Sequence, residues 1–525
     1  MDSSAIRTDV VIIGAGISGL ATLKCLKEAG LSAVVLERTG EVGGLWMFRE
    51  NDYGVMRFTH INVSKYNYCF SDFPFPDDTP DYPHNTDMAK YIVDYVQNFN
   101  LEDDIRFRRK VLDIEKIDDE WQVTAKFVDE DGKRILEGES PEIYRSRFIA
   151  IATGHHAKPS MAKFPGQDSF TEEIIHSVSY NDAISNGMTG KRVLIVGIGN
   201  SAVDAAVDCA TVGRSKSVYI STRSGAWVVP NYIFGHPTDI YACRLFFKLP
   251  FTLANFIFEN VISLVSGHPT RWKLNPKMRA LQSQPTVSPT LVHHIQRHNI
   301  KIVPNIQRIE GSRVYFVGGK SEEFDKIIMC TGYRIDLPFL SENMQKLVLN
   351  KETNEIKLFK NVFSPDIGRT LAFIGFVQPA SGGVLTMSET QARWFAQMCK
   401  GRVGLPNRSE MVRDMEEEKS QYEGKYTKSA RHTIQKDPIV YNDEVAGFIG
   451  AKPSLLKHPD LAWRLILGSC GAYQWRLQGP NKWEGAKEAV KKVPLTELMH
   501  YSGIFALVLV TVIIYYLYSF FTGLF

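Results

Sequence analysis

Two short stretches of the chain carry residue types that bind dinucleotides. In the first, Gly14, Gly16 and Gly19 follow an apolar run from Asp9 to Ile13, and Glu37 comes 18 residues after Gly19. Gly14 permits a tight turn, Gly16 lets backbone approach a pyrophosphate, and Gly19 lets a helix pack close, with its N-terminus facing the phosphates. Glu37 is placed to accept hydrogen bonds from a ribose diol. The second stretch repeats the plan with Gly197, Gly199, Asn200 and Ser201, but ends on Ser221, Thr222 and Arg223. A guanidinium pairs with a 2′-phosphate that a carboxylate would repel, so this site is expected to prefer NADPH to NADH. Arg223 alone also reads as a solvated surface arginine. Asn200 has two readings, an amide touching nicotinamide or ribose and a helix N-cap.

Each set needs a strand, a turn, a helix and a second strand to hold it. The pattern predicts a strand from Asp9 to Ile13, a helix through Glu28 and a strand ending at Glu37, then a second such unit with a helix through Val212. Another echo links the two: residues 148–154 and 326–332 are each an apolar strand running into Thr-Gly, 178 residues apart, against 183 between Gly14 and Gly197. Both read as places where the chain crosses between domains. The expected fold is α/β, with two nested Rossmann-like dinucleotide-binding domains, a helical insertion and a C-terminal transmembrane helix. An FAD-binding domain is expected at 1–155 and again at 328–490, around an NADPH-binding domain at 156–327 with an insertion at about 230–284. Inside that insertion Leu253, Ala254, Ile257, Phe258, Val261 and Val265 recur at helical spacing, followed by Arg271, Lys273, Lys277 and Arg279. It reads equally as a membrane-surface element, a cover for a substrate tunnel and a subunit interface.

Composition narrows the class. The chain has 525 residues, 44% of them hydrophobic, and a net charge of +3, which gives nucleic acid no basic footprint to bind. No two of the seven cysteines lie closer than 34 positions, which excludes a CxxC redox pair and hence a disulfide reductase, and fits reduced thiols rather than zinc ligands. The start of the chain, acidic with a four-residue apolar run, does not read as a signal peptide. Residues 503–525 are 23 in a row without a charge, about 34 Å as a helix. With Lys487, Lys491 and Lys492 ahead of them, a C-terminal single-pass anchor over 501–525 is expected, the main body on the cytoplasmic side.

Further motifs carry a family resemblance. Phe164, Gly166, His176 and Tyr180 stand as in the F-x-G…H-S-x-x-Y fingerprint of the flavin-containing monooxygenases, and the stretches 41–46, 71–76, 330–333, 389–394 and 479–486 are similar to that family in order and spacing. The chain resembles the animal microsomal members, which implies an endoplasmic reticulum membrane and a cytosol-facing catalytic body. Ser177 and Tyr180 stand where Baeyer-Villiger relatives carry Thr and Trp. The segment 153–166 is shorter and more basic than the family pattern and leaves the hinge position open. The resemblance implies FAD reduced by NADPH, O2 adding as a C4a-hydroperoxyflavin stabilised by bound NADP+, and oxygen passing to a soft N or S atom of a small amine or sulfide. Baeyer-Villiger oxygenation of ketones and uncoupled NADPH oxidation are the alternatives, and a homo-oligomer stays open. A flavin-binding protein without turnover would not need the second site.

The same resemblance places Asn62 beside the flavin as a catalytic amide; Asn200, read from its place in the second turn, is the other catalytic candidate. From the residues alone Asn62 is an Asx-turn cap for Ser64. Gly44, Leu45 and Trp46 are implied cofactor contacts. Trp46, Tyr68, Phe70 and Phe73 read either as flavin-facing or as core. Gln378 precedes a glycine turn like those holding an isoalloxazine edge. His176 reads as a linker-fixing histidine, since oxygen transfer needs no side-chain base.

Overall fold

The computed structural model describes residues 5–156, 158–427, 433–469, 471–497 and 499–501. The first apolar run forms β1 (Ile6–Ile13), in which Val10 to Ile13 are at most 4% exposed, as a strand covered on both faces requires. After it come α1 (Ile17–Glu28), β2 (Ala33–Leu36), β3 (Ile105–Arg106), β4 (Arg109–Ile117), β5 (Glu120–Phe127) and β6 (Glu142–Ile151). The strands are ordered β3-β2-β1-β6-β5-β4, with β1 parallel to both β2 and β6. Successive parallel connections diverge at β1, so a crevice opens at its C-terminal end.

The chain leaves through β7 (Lys158–Pro159) and builds a second sheet, all parallel. Its strands are β8 (Glu173–His176), β9 (Arg192–Val196), β10 (Ser217–Ser221), β11 (Ile300–Val303) and β12 (Lys326–Met329), ordered β11-β10-β9-β12-β8. Between β9 and β10 lies α2 (Asn200–Ala210), two residues shorter than the spacing predicts. The return passes through β13 (Tyr333–Arg334), antiparallel to β7, and β14 (Leu371–Phe373) joins the end of β6 in the first sheet. The two crossings therefore lie side by side. The hinge that the sequence left open is this paired ribbon, fastened by Ser160 N–H to Gly332 O at 2.9 Å.

The repeated Thr-Gly endings have a spatial reason. A Cβ on Gly14, at φ 101°, would stand 2.9 Å from the carbonyl oxygen of Ala152, and one on Gly197, at φ 122°, would stand 2.4 Å from that of Cys330. Each glycine turn leans on the end of its neighbouring strand, so the two motifs of a unit recur together.

The insertion contains the expected helix, α3 (Phe251–Ser266). Only part of its apolar stripe is covered: Ala254 and Ile262 are buried, Phe258 and Val261 partly so, while Leu253, Ile257 and Val265 are exposed. The small core beneath, built from Trp227, Val229, Ile233 and Ala280, is narrower than the stripe. Of the basic residues after it, Arg279 is paired with Glu259 at 2.7 Å. Beyond the insertion, α4 (Val384–Cys399) packs along α1. There the fully buried Arg476 bonds Glu389 at 2.9 Å and Asp72 at 3.1 Å, tying the later chain to the loop at 71–76. The expected membrane segment lies outside the described residues from 502 onward. Among the described residues no helix is long and apolar enough to cross a membrane.

Candidate functional site

Both glycine turns open into one cavity of about 1270 Å³ between the sheets. That exceeds the roughly 300–1,000 Å³ of a single small-molecule pocket. Both helices that point at it start on a glycine N-cap, Gly16 for α1 and Gly199 for α2, with no side-chain cap and no acid in the first turn. Their first N–H groups are left for an anion, as a pyrophosphate requires.

On the first side Gly14 and Gly16 line the cavity. Gly19 does not; a Cβ there would stand 1.9 Å from Gly14 O, so its role is the close approach of α1 to the turn. Gly44, Leu45 and Trp46 form a 3-10 turn on the opposite wall, and a Cβ on Gly44 would stand 3.0 Å from Gly16 Cα. Two facing glycines make a slot that side chains would fill. The Glu37 carboxylate, on the same wall, accepts from Ala15 N–H at 2.7 Å and from Thr39 N–H and Oγ–H, both at 2.9 Å. A carboxylate offers about four acceptor sites, so one remains for a ribose hydroxyl. The Thr153 hydroxyl in this crevice is buried without a partner among the described residues. These residues fit an FAD.

Asn62 lines the same cavity, and its amide makes no hydrogen bond among the described residues. The capping alternative does not occur, because Ser64 N–H donates to Asp239 Oδ1 at 3.0 Å instead. The aromatic group divides. Trp46 and Tyr68 line the cavity, the indole N–H donating to Tyr68 Oη at 3.1 Å, whereas Phe70 stacks on Tyr95 at 3.7 Å and Phe73 packs on Tyr95 and Phe99 in the core.

On the second side Gly199, Asn200 and Ser201 line the cavity, while Gly197 lies behind them against Cys330. Asn200 does not cap α2, since Gly199 holds that position; its Oδ1 accepts from Val287 N–H at 2.9 Å, which fixes the amide and leaves its NH2 with no partner among the described residues. The three residues at the end of β10 separate. Ser221 is buried and donates to Pro304 O at 2.9 Å, and the Thr222 hydroxyl accepts from Gly225 N–H at 3.0 Å. Neither residue lines the cavity: Ser221 is spent on Pro304, 83 residues on, and Thr222 closes a local turn. Arg223 is exposed and lies off the main cavity, on a separate cleft of about 440 Å³ that it shares with Lys277. Gly225, at φ 66°, allows this closeness: a Cβ there would stand 1.8 Å from Leu274 O. Gln378 lines the main cavity, its Nε2 donating to Gln284 Oε1 at 2.7 Å and its backbone N–H to Ile434 O at 2.9 Å. Its own N–H is therefore spent within the protein.

Burial disfavours the charged form of two histidines near the hinge. His176 accepts from Val178 N–H on Nδ1 and donates from Nε2 to Gly332 O, both at 3.1 Å, and burial pushes its pKa down. His155, whose Nδ1 donates to Gly375 O at 3.3 Å, is pushed down to about 4. Sequence reasoning put Lys277 among basic residues that could meet a membrane surface rather than beside Arg223, and missed Gln284, Asp204 and Asp239. Asp204, one turn into α2, faces the cavity with its pKa pushed up to about 7 by burial. Only Asp204 carried a local signal, an acid one turn after a glycine-capped helix start; the others are distant in sequence from what they meet.

A family model described as Flavin-binding monooxygenase-like matches residues 7–497. Human flavin-containing monooxygenase 5 is 36% identical over 505 residues, 92% of this chain and 91% of that protein. The N-oxide-forming dimethylaniline monooxygenase 2 of Oryctolagus cuniculus is 32% identical over 542 residues, 95% of this chain and 98% of that protein. Among solved structures, the S-allyl-L-cysteine S-oxygenase of Allium sativum superposes with a TM-score of 0.62 at 22% identity, over 85% of this chain and 89% of that one. A complex of OTEMO with FAD and NADP superposes at 0.61 and 16% identity, over 84% and 97% of the two chains. At those identities the structures speak for the fold alone.

Proposed function

The chain belongs to the flavin-containing monooxygenase family and is an enzyme using FAD and NADP; from that premise we propose that it oxygenates soft nucleophilic N or S atoms of small amines or sulfides. The observation that carries this reading is the pair of glycine-capped helix N-termini facing one cavity, with an unengaged amide, Asn62, on its wall. FAD, when bound, supplies the electron transfer from NADPH and the activation of O2 that side chains cannot provide. The chain's own residues hold and shield. The α1 N-terminus and the Gly16–Gly44 slot take one pyrophosphate, and Glu37 orients the ribose beside it. The α2 N-terminus, Gly199 and Ser201 take the second, and the Asn200 NH2 reaches the nicotinamide half. Asn62 presents N–H donors that carry no readily lost proton, which suits a site where stray protonation wastes the oxidant. Trp46 and Tyr68 exclude water from that wall.

The second site takes NADPH through Arg223 and Lys277, two cations on one cleft with no carboxylate among its lining residues. Residues 503–525 anchor the chain in the endoplasmic reticulum membrane with the body facing the cytosol. The exposed apolar side of α3, with Phe256 61% and Leu264 80% exposed, supports contact with that surface.

Turnover stoichiometry tests the reading. The full chain in detergent, given NADPH and O2 with a tertiary amine or a sulfide, is expected to form oxide in equal molar amount to NADPH consumed. A cyclic ketone consumed at that ratio while amines and sulfides are inert would transfer the assignment to Baeyer-Villiger oxygenation. Hydrogen peroxide in equal amount to NADPH, whatever is supplied, would refute oxygen transfer altogether.

A further inference from the structure

The segment 61–68 carries Asn62 to the cavity wall, and its fastenings differ in kind. Ile61 N–H donates to Pro83 O at 2.9 Å and Lys65 N–H to Asp81 O at 2.8 Å, both backbone contacts within the first sheet's own loops. Between them stands Ser64, fully buried, and it is held from the insertion. Asp239, in the 3-10 turn Thr238–Tyr241 of the insertion, accepts Ser64 N–H on Oδ1 at 3.0 Å and Ser64 Oγ–H on Oδ2 at 2.6 Å. Its Oδ2 also accepts from Asn67 Nδ2 at 2.6 Å, and Tyr82 Oη lies 3.3 Å from Oδ1. Tyr82 in turn donates to Asn231 O and accepts from Thr238 N–H at 3.2 Å, closing the group on the insertion side. Ser64 and Asn67 give this carboxylate three donated hydrogen bonds, while the Tyr82 proton is spent on Asn231 O; three donors suit the charged form. Burial nonetheless holds its pKa above the ordinary carboxylate value, the mark of an acid enclosed for its hydrogen bonds.

The geometry points to Asp239 as the positioning residue for Asn62: through it the insertion fixes the 61–68 segment, and with it the placement of the amide beside the flavin. This rests on the role proposed for Asn62. Asp239 touches no reacting atom and acts through Ser64 two positions on. The insertion is then more than a cover or a membrane-facing element, because a shift of the turn at 238–241 is transmitted to the oxygen-handling wall.

The test uses the FAD-loaded full chain in detergent with two readouts, hydrogen exchange at the Ser64 amide and the share of NADPH electrons released as peroxide during sulfide turnover. That share is a partition, so it does not move with the amount of folded enzyme. Asp239→Asn keeps one acceptor and sets an NH2 against the Asn67 NH2. It is expected to exchange at Ser64 roughly tenfold faster and to raise the peroxide share severalfold. Adding Asn67→Asp returns a donor–acceptor pair and is expected to bring both readouts back toward wild type, which a general loss of stability would not do. Asn62→Ala is the companion and is expected to raise peroxide alone. If Asn62→Ala raises peroxide and Asp239→Asn changes neither readout, or its effect is not reversed by Asn67→Asp, the inference is overturned. If neither single variant moves the peroxide share, the role of Asn62 itself is refuted and the inference falls with it.

Discussion

Arg223 and Lys277 are 54 positions apart in the chain and meet on one cleft because Gly225 lets residue 274 come against the end of β10. Read from sequence, Lys277 belonged with a run of basic residues facing lipid phosphates. In the structure it stands beside the arginine expected to take a 2′-phosphate, while Arg279 is neutralised by Glu259. A charge-assisted hydrogen bond to phosphate contributes about 1.5–3 kcal/mol, so Arg223→Ala and Lys277→Ala should each weaken NADP+ by about tenfold or more and leave NAD+ unchanged. Titration of the two nucleotides by protein fluorescence checks this; parallel losses for both would remove the cleft from cofactor selection. Asn200 illustrates the opposite case. Its place in the motif was plain, but the capture of its oxygen by Val287 N–H follows from how residues 286–287 return over the turn.

The strand, glycine turn and helix units were the most legible parts, because all their determinants lie within some thirty consecutive residues. Gly19 shows what such an element demands. A methyl group there meets Gly14 O at 1.9 Å, backbone against backbone, so relief requires α1 to move off the turn. Gly19→Ala is expected to cost about 1–3 kcal/mol of stability and to lower the FAD retained on purification, read as flavin absorbance per protein. Gly447→Ala is the control: it sits inside a helix with nothing within 4 Å of the added Cβ, and should be neutral or stabilise by about 0.5–1 kcal/mol. Equal flavin loss in both would contradict the packing argument. The hinge was not legible. Its two strands are two residues each, too short for any periodicity, and they exist only because both crossings pass the same point.

At the scale of the whole molecule, later parts of the chain brace earlier ones. Arg476 reaches Glu389 and Asp72, Ser469 Oγ–H donates to Asn67 Oδ1 at 2.9 Å, and Tyr241 of the insertion bonds Glu497 just ahead of the apolar C-terminal run. The catalytic body thus closes on itself before residue 503, and deletion of 503–525 should release it from carbonate-washed membranes with its FAD retained. Continued sedimentation with the membrane would shift the attachment to the exposed side of α3. Sequence alone determined the two strand–glycine turn–helix units, the family and the apolar end, and offered Glu37 and Arg223 as candidates, since each is a local pattern whose chemistry depends on adjacent residues. Tertiary structure decided which candidates line the cavity. It buried Ser221, engaged the Thr222 hydroxyl with Gly225 N–H, sent Phe70 and Phe73 to the core, left the Asn62 amide free among the described residues and set Asp239 across 175 residues against Ser64. Those outcomes depend on which distant donor reaches a polar group first, and no spacing along the chain encodes that distance.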